Sequence, residues 1–336
     1  MRISDQMMYQ SMTQNIDQAQ AAYVKTQQEA SSGLSISQPS DNPAGTAVVL
    51  NLQAAQSQVQ SFQSNAQAAQ SQMTTADQTL SQLQSVVTSA MSLANQGLSG
   101  SATATDMGDM SQQAGGLVSQ FGTLANTTYA GQYVFSGTAQ QAPLSGSSNT
   151  PSSEQTAGTF TSQSVEIGAG VMVPTSVNAT SVLGGPQYAS GTQVSTMPQW
   201  AQQYATAHGD VTSSATPPQT TTTALTLSIP NILSSLQSDL AAGNTAAVEA
   251  DLGALQAQAG NLNSVRAALG ANMNRVQAAI SQLTTTSTTL QTQQGNVENV
   301  NMAQIITQLT AQQTAYQAAV AAGANLKLPT LANYLT

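Results

Sequence analysis

Residues 52–94 read LQAAQSQVQSFQSNAQAAQSQMTTADQTLSQLQSVVTSAMSLA, and thirteen positions spaced alternately three and four apart are all apolar. They are Leu52, Ala55, Val59, Phe62, Ala66, Ala69, Met73, Ala76, Leu80, Leu83, Val87, Ala90 and Ala94. A 3.5-residue period sustained over six heptads is the mark of a long helix that lies against other helices. At 1.5 Å per residue such a helix reaches roughly 65 Å, more than a compact domain requires. The stretch points to a structural rod rather than to an enzyme.

The surrounding composition agrees. Only 6% of the 336 residues are charged, against about 25% in ordinary soluble proteins. Gln, Ser, Thr and Asn supply the polar surface. Net charge is −9, and the five cations (Arg2, Lys25, Arg266, Arg275, Lys327) are scattered. A nucleic-acid or anionic-membrane partner needs clustered Lys and Arg, so neither is expected. Two readings fit the uncharged surface: compositional drift in a secreted protein, or burial of most helix faces in a polymer, where an unpaired charge is costly. Cysteine is absent, which excludes disulfides, thiolate nucleophiles and cysteine metal sites. The start Met1-Arg-Ile-Ser-Asp-Gln has no basic segment followed by an apolar one, so no cleavable signal peptide is read. No run approaches 18 apolar residues, so no membrane span is expected.

Around the rod the chain is nearly symmetric. A first arm carries Tyr9, Met12, Ile16, Ala19, Tyr23, Thr26 and Ala30 at the same spacing, and ends in the turn formers of 31–43. Asp41 or Asn42 before Pro43 reads as an N-cap with proline at the first helical position. A shorter seam follows at Met107, Met110, Ala114, Leu117, Phe121 and Leu124, weakened by Gly115-Gly116. Tyr133 and Phe135 alternate with polar neighbours as on a half-buried strand. Residues 140–228 are rich in Ser, Thr, Gly and Pro and read as a small β domain, with Trp200 as its packing anchor.

Helical texture returns at about Leu225, with a second rod through Leu252, Leu255, Leu262, Leu269, Met273, Val276, Ile280 and Leu283. An interruption at Gln291–Val300, with Gly295, suggests a hinge. A last seam runs Met302, Ile306, Leu309, Gln313, Tyr316, Val320 and Gly323, and Pro329 closes it.

The expected fold is therefore mainly α with a β-rich insert: elongated, with long antiparallel helical rods, terminal helical arms and a small middle domain. The expected divisions are 1–43, arm and turn segment; 44–140, N-terminal rod, short helix and hairpin; 141–228, β-rich middle; 229–295, C-terminal rod; and 296–336, C-terminal arm. The rod core is assigned to Leu52, Val59, Phe62, Met73, Leu80, Leu83, Val87, Leu252, Leu255, Leu262, Leu269, Val276, Ile280 and Leu283. The arm interface is assigned to Tyr9, Met12, Ile16, Tyr23, Met302, Ile306, Leu309, Tyr316 and Val320.

Three motifs in order resemble the flagellin family. Ser31-Ser-Gly-Leu-Ser-Ile-Ser-Gln-Pro-Ser-Asp-Asn-Pro-Ala-Gly is similar to the segment after that family's first helix. Arg266-Ala-Ala-Leu-Gly-Ala-Asn-Met-Asn-Arg275 resembles its C-terminal rod motif, and Tyr316-Gln-Ala-Ala-Val-Ala-Ala-Gly-Ala-Asn-Leu its terminal helix. The resemblance covers roughly 1–140 and 230–336. Within the family, Met1-Arg-Ile-Ser, Pro39-Ser-Asp-Asn-Pro43, Tyr129-Ala-Gly-Gln-Tyr-Val-Phe-Ser-Gly137 and Leu328-Pro-Thr-Leu-Ala-Asn-Tyr-Leu are similar to the hook-associated branch, of type 3, at the hook–filament junction. Positions 33–36, Gly-Leu-Ser-Ile, lack the cation often found there.

The resemblance implies a flagellar subunit outside the cell, exported through the flagellar type III apparatus without a cleavable signal. Its implied partners are copies of itself, neighbouring hook-associated and filament-side subunits, and an export chaperone on the C-terminal helices. Filament flagellin is the alternative within the family, and a soluble helical signalling rod the alternative outside it.

The arms carry about four large apolar side chains between Tyr9 and Ala30. Ordering the backbone costs about 1–2 kcal/mol per residue, so arms that order on packing with neighbours are expected. No catalytic, cofactor or metal site is read. His208, the only histidine, stands beside Asp210 and reads as a loop residue; Asp106 and Asp109, or Glu249 and Asp251, make no ligand set. Asn126-Thr-Thr and Asn178-Ala-Thr match the glycosylation pattern as short matches in a Thr-rich chain do. Arg266, on the seam, either pairs across the rods with an acid such as Asp77 or snorkels to the edge.

Overall fold

The computed structural model describes residues 2–138, 142–145, 150–151, 162–183, 187–188, 192–211, 221 and 225–324. Its elements run α1 (Arg2–Ser32), α2 (Pro43–Gly97), α3 (Ala104–Ala125), β1 (Thr128–Tyr129), β2 (Gln132–Tyr133), β3 (Leu144–Ser145), β4 (Thr150–Pro151), β5 (Ser164–Gly168), β6 (Val171–Pro174), α4 (Ala179–Leu183), β7 (Gln187–Tyr188), α5 (Gln199–Ala207), β8 (Leu225–Thr226), α6 (Ile229–Ala242), α7 (Thr245–Glu298) and α8 (Met302–Ala324). Four antiparallel two-stranded pairs, β1–β2, β3–β4, β5–β6 and β7–β8, make up the β structure. The mainly helical fold with a β-containing middle is the one expected. Chain contacts define two units, Met1–Gln60 with Thr284–Thr336, and Ser61–Leu283.

Helix ends are set by short polar side chains. Asn42 Oδ1 accepts from the Gly45 N–H at 2.9 Å, so Asn42 is the cap that precedes Pro43. Thr103 and Asp106 form a reciprocal capping box on α3. Asn244 Oδ1 accepts from Ala247 N–H and Asn301 Oδ1 from Ala303 N–H, starting α7 and α8. Gly243 takes the left-handed conformation, φ 66°, and ends α6. The rod expected from 229 is thus two helices, and α7 starts only at Thr245. Along the helices Thr and Ser hydroxyls bond back to the carbonyl four residues earlier, as Thr74 does to Gln70 and Thr288 to Thr284. That is how a surface almost without charge stays satisfied.

In the 61–283 unit, α2 and α7 run antiparallel. Gln70 Nε2 donates to Gln277 Oε1 at 2.7 Å, and further along α2 Gln84 Nε2 donates to Asn263 Oδ1 at 2.8 Å. Between these rungs Arg266 Nε donates to Asp77 Oδ1 at 3.1 Å and Nη1 to Gln84 Oε1 at 3.1 Å. Arg266 therefore pairs across the rods with Asp77. Met73, Leu80, Leu83 and Val87 of α2 share one apolar cluster with Leu255, Leu262, Leu269 and Val276 of α7. Phe121 of α3, Leu233, Leu236 and Leu240 of α6, and Phe135, Ile167, Val173 and Leu183 of the middle region belong to it too. The middle region is continuous with the rod core. Each such Leu or Phe is worth about 1.5–3 kcal/mol when fully buried.

Three local readings change. Gly115, which weakens α3 as an isolated helix, lets α6 come close: a Cβ there would stand 2.8 Å from Gln237 Nε2. Ser111 Oγ donates to the Gln237 carbonyl at 2.8 Å in the same interface. The strand expected over 133–135 ends at Tyr133, and Val134 and Phe135 are both buried in the common apolar cluster, where a half-buried strand would expose one of two neighbours. Gly295 does not break the helix; α7 runs to Glu298 and the break falls at 299–301, where Asn301 caps the next helix. Pro329 lies outside the described residues.

In the other unit α1 and α8 pack antiparallel. Tyr23 and Tyr316 stack with ring centroids 6.2 Å apart and planes 5° apart, an offset geometry favoured by ring quadrupoles. Two turns away a Cβ on Gly323 would stand 3.1 Å from Ile16 Cδ1, so glycine sets this approach. The chain between α1 and α2 is tied to the α7–α8 junction. Ser35 N–H donates to the Glu298 carbonyl at 2.6 Å and Val300 N–H to the Gly33 carbonyl at 3.0 Å. Asp41 closes the turn, accepting from the N–H groups of Ser37 and Gln38, and Lys25 Nζ lies 3.1 Å from its other oxygen. The Lys25 ammonium, then the N–H groups of Gln38 and Ser37, hold the Asp41 carboxyl down to about 2.

Candidate functional sites: an apolar arm surface and a buried polar cluster

Of the predicted rod residues, Met73, Leu80, Leu83, Val87, Leu255, Leu262, Leu269, Val276 and Leu283 are buried, and Leu52, Val59, Phe62, Leu252 and Ile280 are half-buried. Among the predicted arm residues Tyr9, Met12, Ile16, Tyr23, Leu309 and Tyr316 are half-buried. Met302, Ile306 and Val320 are 48%, 54% and 43% exposed. The shielded face of α8 carries Ile305, Leu309, Gln312, Tyr316, Ala319 and Gly323 instead. Adjacent apolar residues Ile305 and Ile306 start two stripes one residue apart, and only one of them can face α1.

The second stripe belongs to a wider surface. Among the described residues ten large apolar side chains are exposed, and eight of them fall in the 1–60/284–336 unit: Met7, Met8, Val24, Val48, Leu50, Met302, Ile306 and Val320. Among the described residues, the apolar side chains buried in that unit are Ile36, Val49 and Ile305. The other two exposed ones, Val171 and Met172, form the tip of the β5–β6 hairpin.

A polar cluster missed in the sequence lies in the 61–283 unit. His208 ends α5 and is not a free loop residue: its Nδ1 stands 2.8 Å from the Tyr204 carbonyl and its ring stacks on Tyr204 at 4.1 Å. Its Nε2 meets Asp239 Oδ2 of α6 at 2.9 Å and Asp251 Oδ1 of α7 at 3.5 Å. The expected neighbour Asp210 is not the partner of this nitrogen. Asp251 is fully buried, and neither of its oxygens accepts a hydrogen bond. Burial, then the adjacent Asp239 carboxylate, push its carboxyl up to about 9. Tyr204, buried beside the acids, donates to or accepts from Ser235 Oγ at 2.8 Å, and burial raises its hydroxyl pKa. The three residues come from helices separated by turns, so no local spacing announces them. One signal was present: Asp251 sits three residues after Val248 and four before Leu255, on the apolar face of α7.

The glycosylation matches carry structural hydrogen bonds. Asn126 both donates to and accepts from Leu144 at 2.9 Å, and Asn178 Oδ1 accepts from Thr180. Trp200 is half-buried against the common core. No helix of the described residues is long and apolar enough to cross a membrane.

Paired antiparallel long helices in one unit, and in the other a pair of terminal helices with most of the large apolar side chains exposed among the described residues, define a long-helix protein of structural type. The sequence model of the bacterial flagellin N-terminal helical region matches residues 3–140, and that of the flagellin C-terminal helical region matches 252–335. Together they span about two thirds of the chain, which belongs to the flagellin family. No curated protein sequence matches it.

The fold is shared with solved structures of low identity. FlgL of Xanthomonas campestris is 14% identical, with a TM-score of 0.56 over 73% of this chain and 99% of that one. Flagellar hook associated protein-3 of Legionella pneumophila is 15% identical, with a TM-score of 0.55 over 74% and 98%. A Vibrio parahaemolyticus chain described as a flagellar hook-associated protein is 17% identical, with a TM-score of 0.59 over 77% and 100%.

Proposed function

We propose that this protein is a structural, non-enzymatic subunit of the bacterial flagellum, built into the junction between hook and filament. The observation that carries the reading is the placement, among the described residues, of eight of the ten exposed large apolar side chains in the terminal unit. Apolar surface of that kind is stabilised by being covered. Neighbouring subunits, of this chain and of the hook and filament sides, are the covering partners. Tyr9, Met12, Ile16, Tyr23, Leu309 and Tyr316 join the two arms to each other, while Met302, Ile306 and Val320 meet the neighbours. With so little buried in the terminal unit, its helices complete their ordering on assembly. The same economy suits export as an unfolded chain without a cleavable signal, with a chaperone covering α8 beforehand. The likeness in fold to hook-associated proteins of other bacteria supports placing the subunit there rather than along the filament.

The test is a full-length Met302→Gln/Ile306→Gln/Val320→Gln variant mixed with purified hook-side and filament-side subunits. Co-sedimentation should fall at least tenfold while the far-UV spectrum and thermal transition stay at wild-type values. Undiminished co-assembly would overturn the assignment of this surface. Polymerisation of the wild-type chain alone into long filaments would instead make it a filament flagellin.

A further inference from the structure

We infer that His208, Asp239 and Asp251 form a binding site for one divalent transition-metal ion of the zinc type, which would staple α5, α6 and α7 together. The argument begins with the proton on the ring. The Tyr204 carbonyl only accepts, so His208 Nδ1, 2.8 Å away, carries a hydrogen. In the neutral imidazole that leaves the Nε2 lone pair pointing at Asp239 Oδ2, 2.9 Å away, and at Asp251 Oδ1, 3.5 Å away. Lone pairs facing one another at this range need a proton or a metal cation between them. A ring whose Nδ1–H is held by a backbone carbonyl and whose Nε2 is directed at carboxylates is the arrangement that orients histidine for a metal.

The distances fit the ion. One nitrogen and two carboxylate oxygens lie within 4.8 Å of one another. A tetrahedral zinc with ligands at about 2.0–2.1 Å holds them roughly 3.3 Å apart, so closing the 4.8 Å span takes side-chain movements of up to roughly 1.5 Å. The second sign is Asp251: it is fully buried, neither oxygen accepts a hydrogen bond, and what it faces within the cluster is the Asp239 carboxyl and, at 3.5 Å, His208 Nε2. With its pKa raised by burial and Asp239, the Asp251 carboxyl holds a proton in the metal-free cluster, and a cation seated beside Asp239 and His208 Nε2 takes that proton's place. Two carboxylates and a neutral imidazole around a divalent ion sum to zero charge. The side chains of His208 and Asp239 remain 16% and 14% exposed, which leaves an entry path and room for water as a fourth ligand. Nitrogen with oxygen donors suits zinc, cobalt and nickel rather than magnesium or calcium. This site does not depend on the flagellar reading.

The chain suits the experiment, having one histidine and no cysteine. The untagged full-length protein is stripped with a chelator and titrated with Zn2+, Co2+ and Mg2+. One equivalent of Co2+ should produce the visible absorption of a four-coordinate site. Zn2+ at a hundredfold excess over Kd should raise Tm by roughly 5–10 °C, with Mg2+ without effect. In a 15N spectrum the single histidine's Nε2 resonance should move on zinc addition while Nδ1 stays protonated. Asp251→Asn and His208→Gln should each abolish the Tm shift. Absence of stoichiometric binding to the wild type, an unmoved Nε2 resonance, or equal binding by folded His208→Gln protein would overturn the site. The wild-type Co2+ and 15N readouts decide the matter even where a variant fails to fold.

Discussion

The two units are built from the same helical material and differ in what they bury. The 61–283 unit closes one continuous apolar cluster from α2, α3, α6, α7 and the middle region, with Phe121, Phe135, Leu80 and Leu236 fully inaccessible. In the 1–60/284–336 unit, Ile36, Val49 and Ile305 are buried, and most of the large apolar side chains are half or wholly exposed. Periodicity alone does not separate them, since Tyr9–Ala30 keeps the same alternation as Leu52–Ala94. What separates them is the number of neighbours. A rod in the larger unit has other helices and the hairpins around it, whereas α1 and α8 have chiefly each other. One unit is a finished core, and the other, among the described residues, leaves most of its large apolar side chains uncovered.

That contrast can be broken most sharply in the core. Phe121→Ala should destabilise the 61–283 unit by about 3–5 kcal/mol, read as a lowered midpoint in urea unfolding. A loss under 1 kcal/mol would mean that the cluster is not the scaffold. Tyr316→Ala should cost about 0.5–1.5 kcal/mol through its stack on Tyr23. Its effect should appear as faster amide exchange in α1 and α8, with the main thermal transition unmoved. If the main transition fell with it, the two units would be one cooperative block. Asp77→Ala removes a cross-rod pair whose side chains are 39% and 32% exposed, and should cost no more than about 1 kcal/mol. A double-mutant cycle with Arg266→Ala measures it.

The smallest expected effect is the turn at Asp41. Its folded pKa, about 2, lies below the ordinary 3.8. The stabilisation it gives is therefore present above pH 3.8 and fades as pH falls through 2. The side-chain carboxyl 13C shift should titrate near 2, and Lys25→Ala should move that midpoint upwards. A wild-type midpoint near 4 would show that the turn is not held by this carboxylate.

Long rods, their antiparallel partnership and a cap at Asp41 or Asn42 were legible in the residues, because a 3.5-residue apolar period and a polar residue before proline act locally; the structure chose Asn42. The arm surface was legible only in part. Leu309 and Tyr316 fall on the α8 face turned from solvent, whereas Met302, Ile306 and Val320 lie on the exposed stripe. Choosing between stripes that start at Ile305 and Ile306 requires α1 to be in place.

The polar cluster was not legible. His208 caps α5 while Asp239 and Asp251 stand on α6 and α7, and only Asp251, between Val248 and Leu255 on the apolar face, carried a local sign. Helix and seam follow from the sequence by itself, since hydrogen bonding within a turn and amphipathic spacing depend on near neighbours. Which apolar stripe is covered, which glycine admits a neighbouring helix, and which acid ends up buried beside the only histidine were decided by the tertiary structure, because burial is a property of everything packed around a residue.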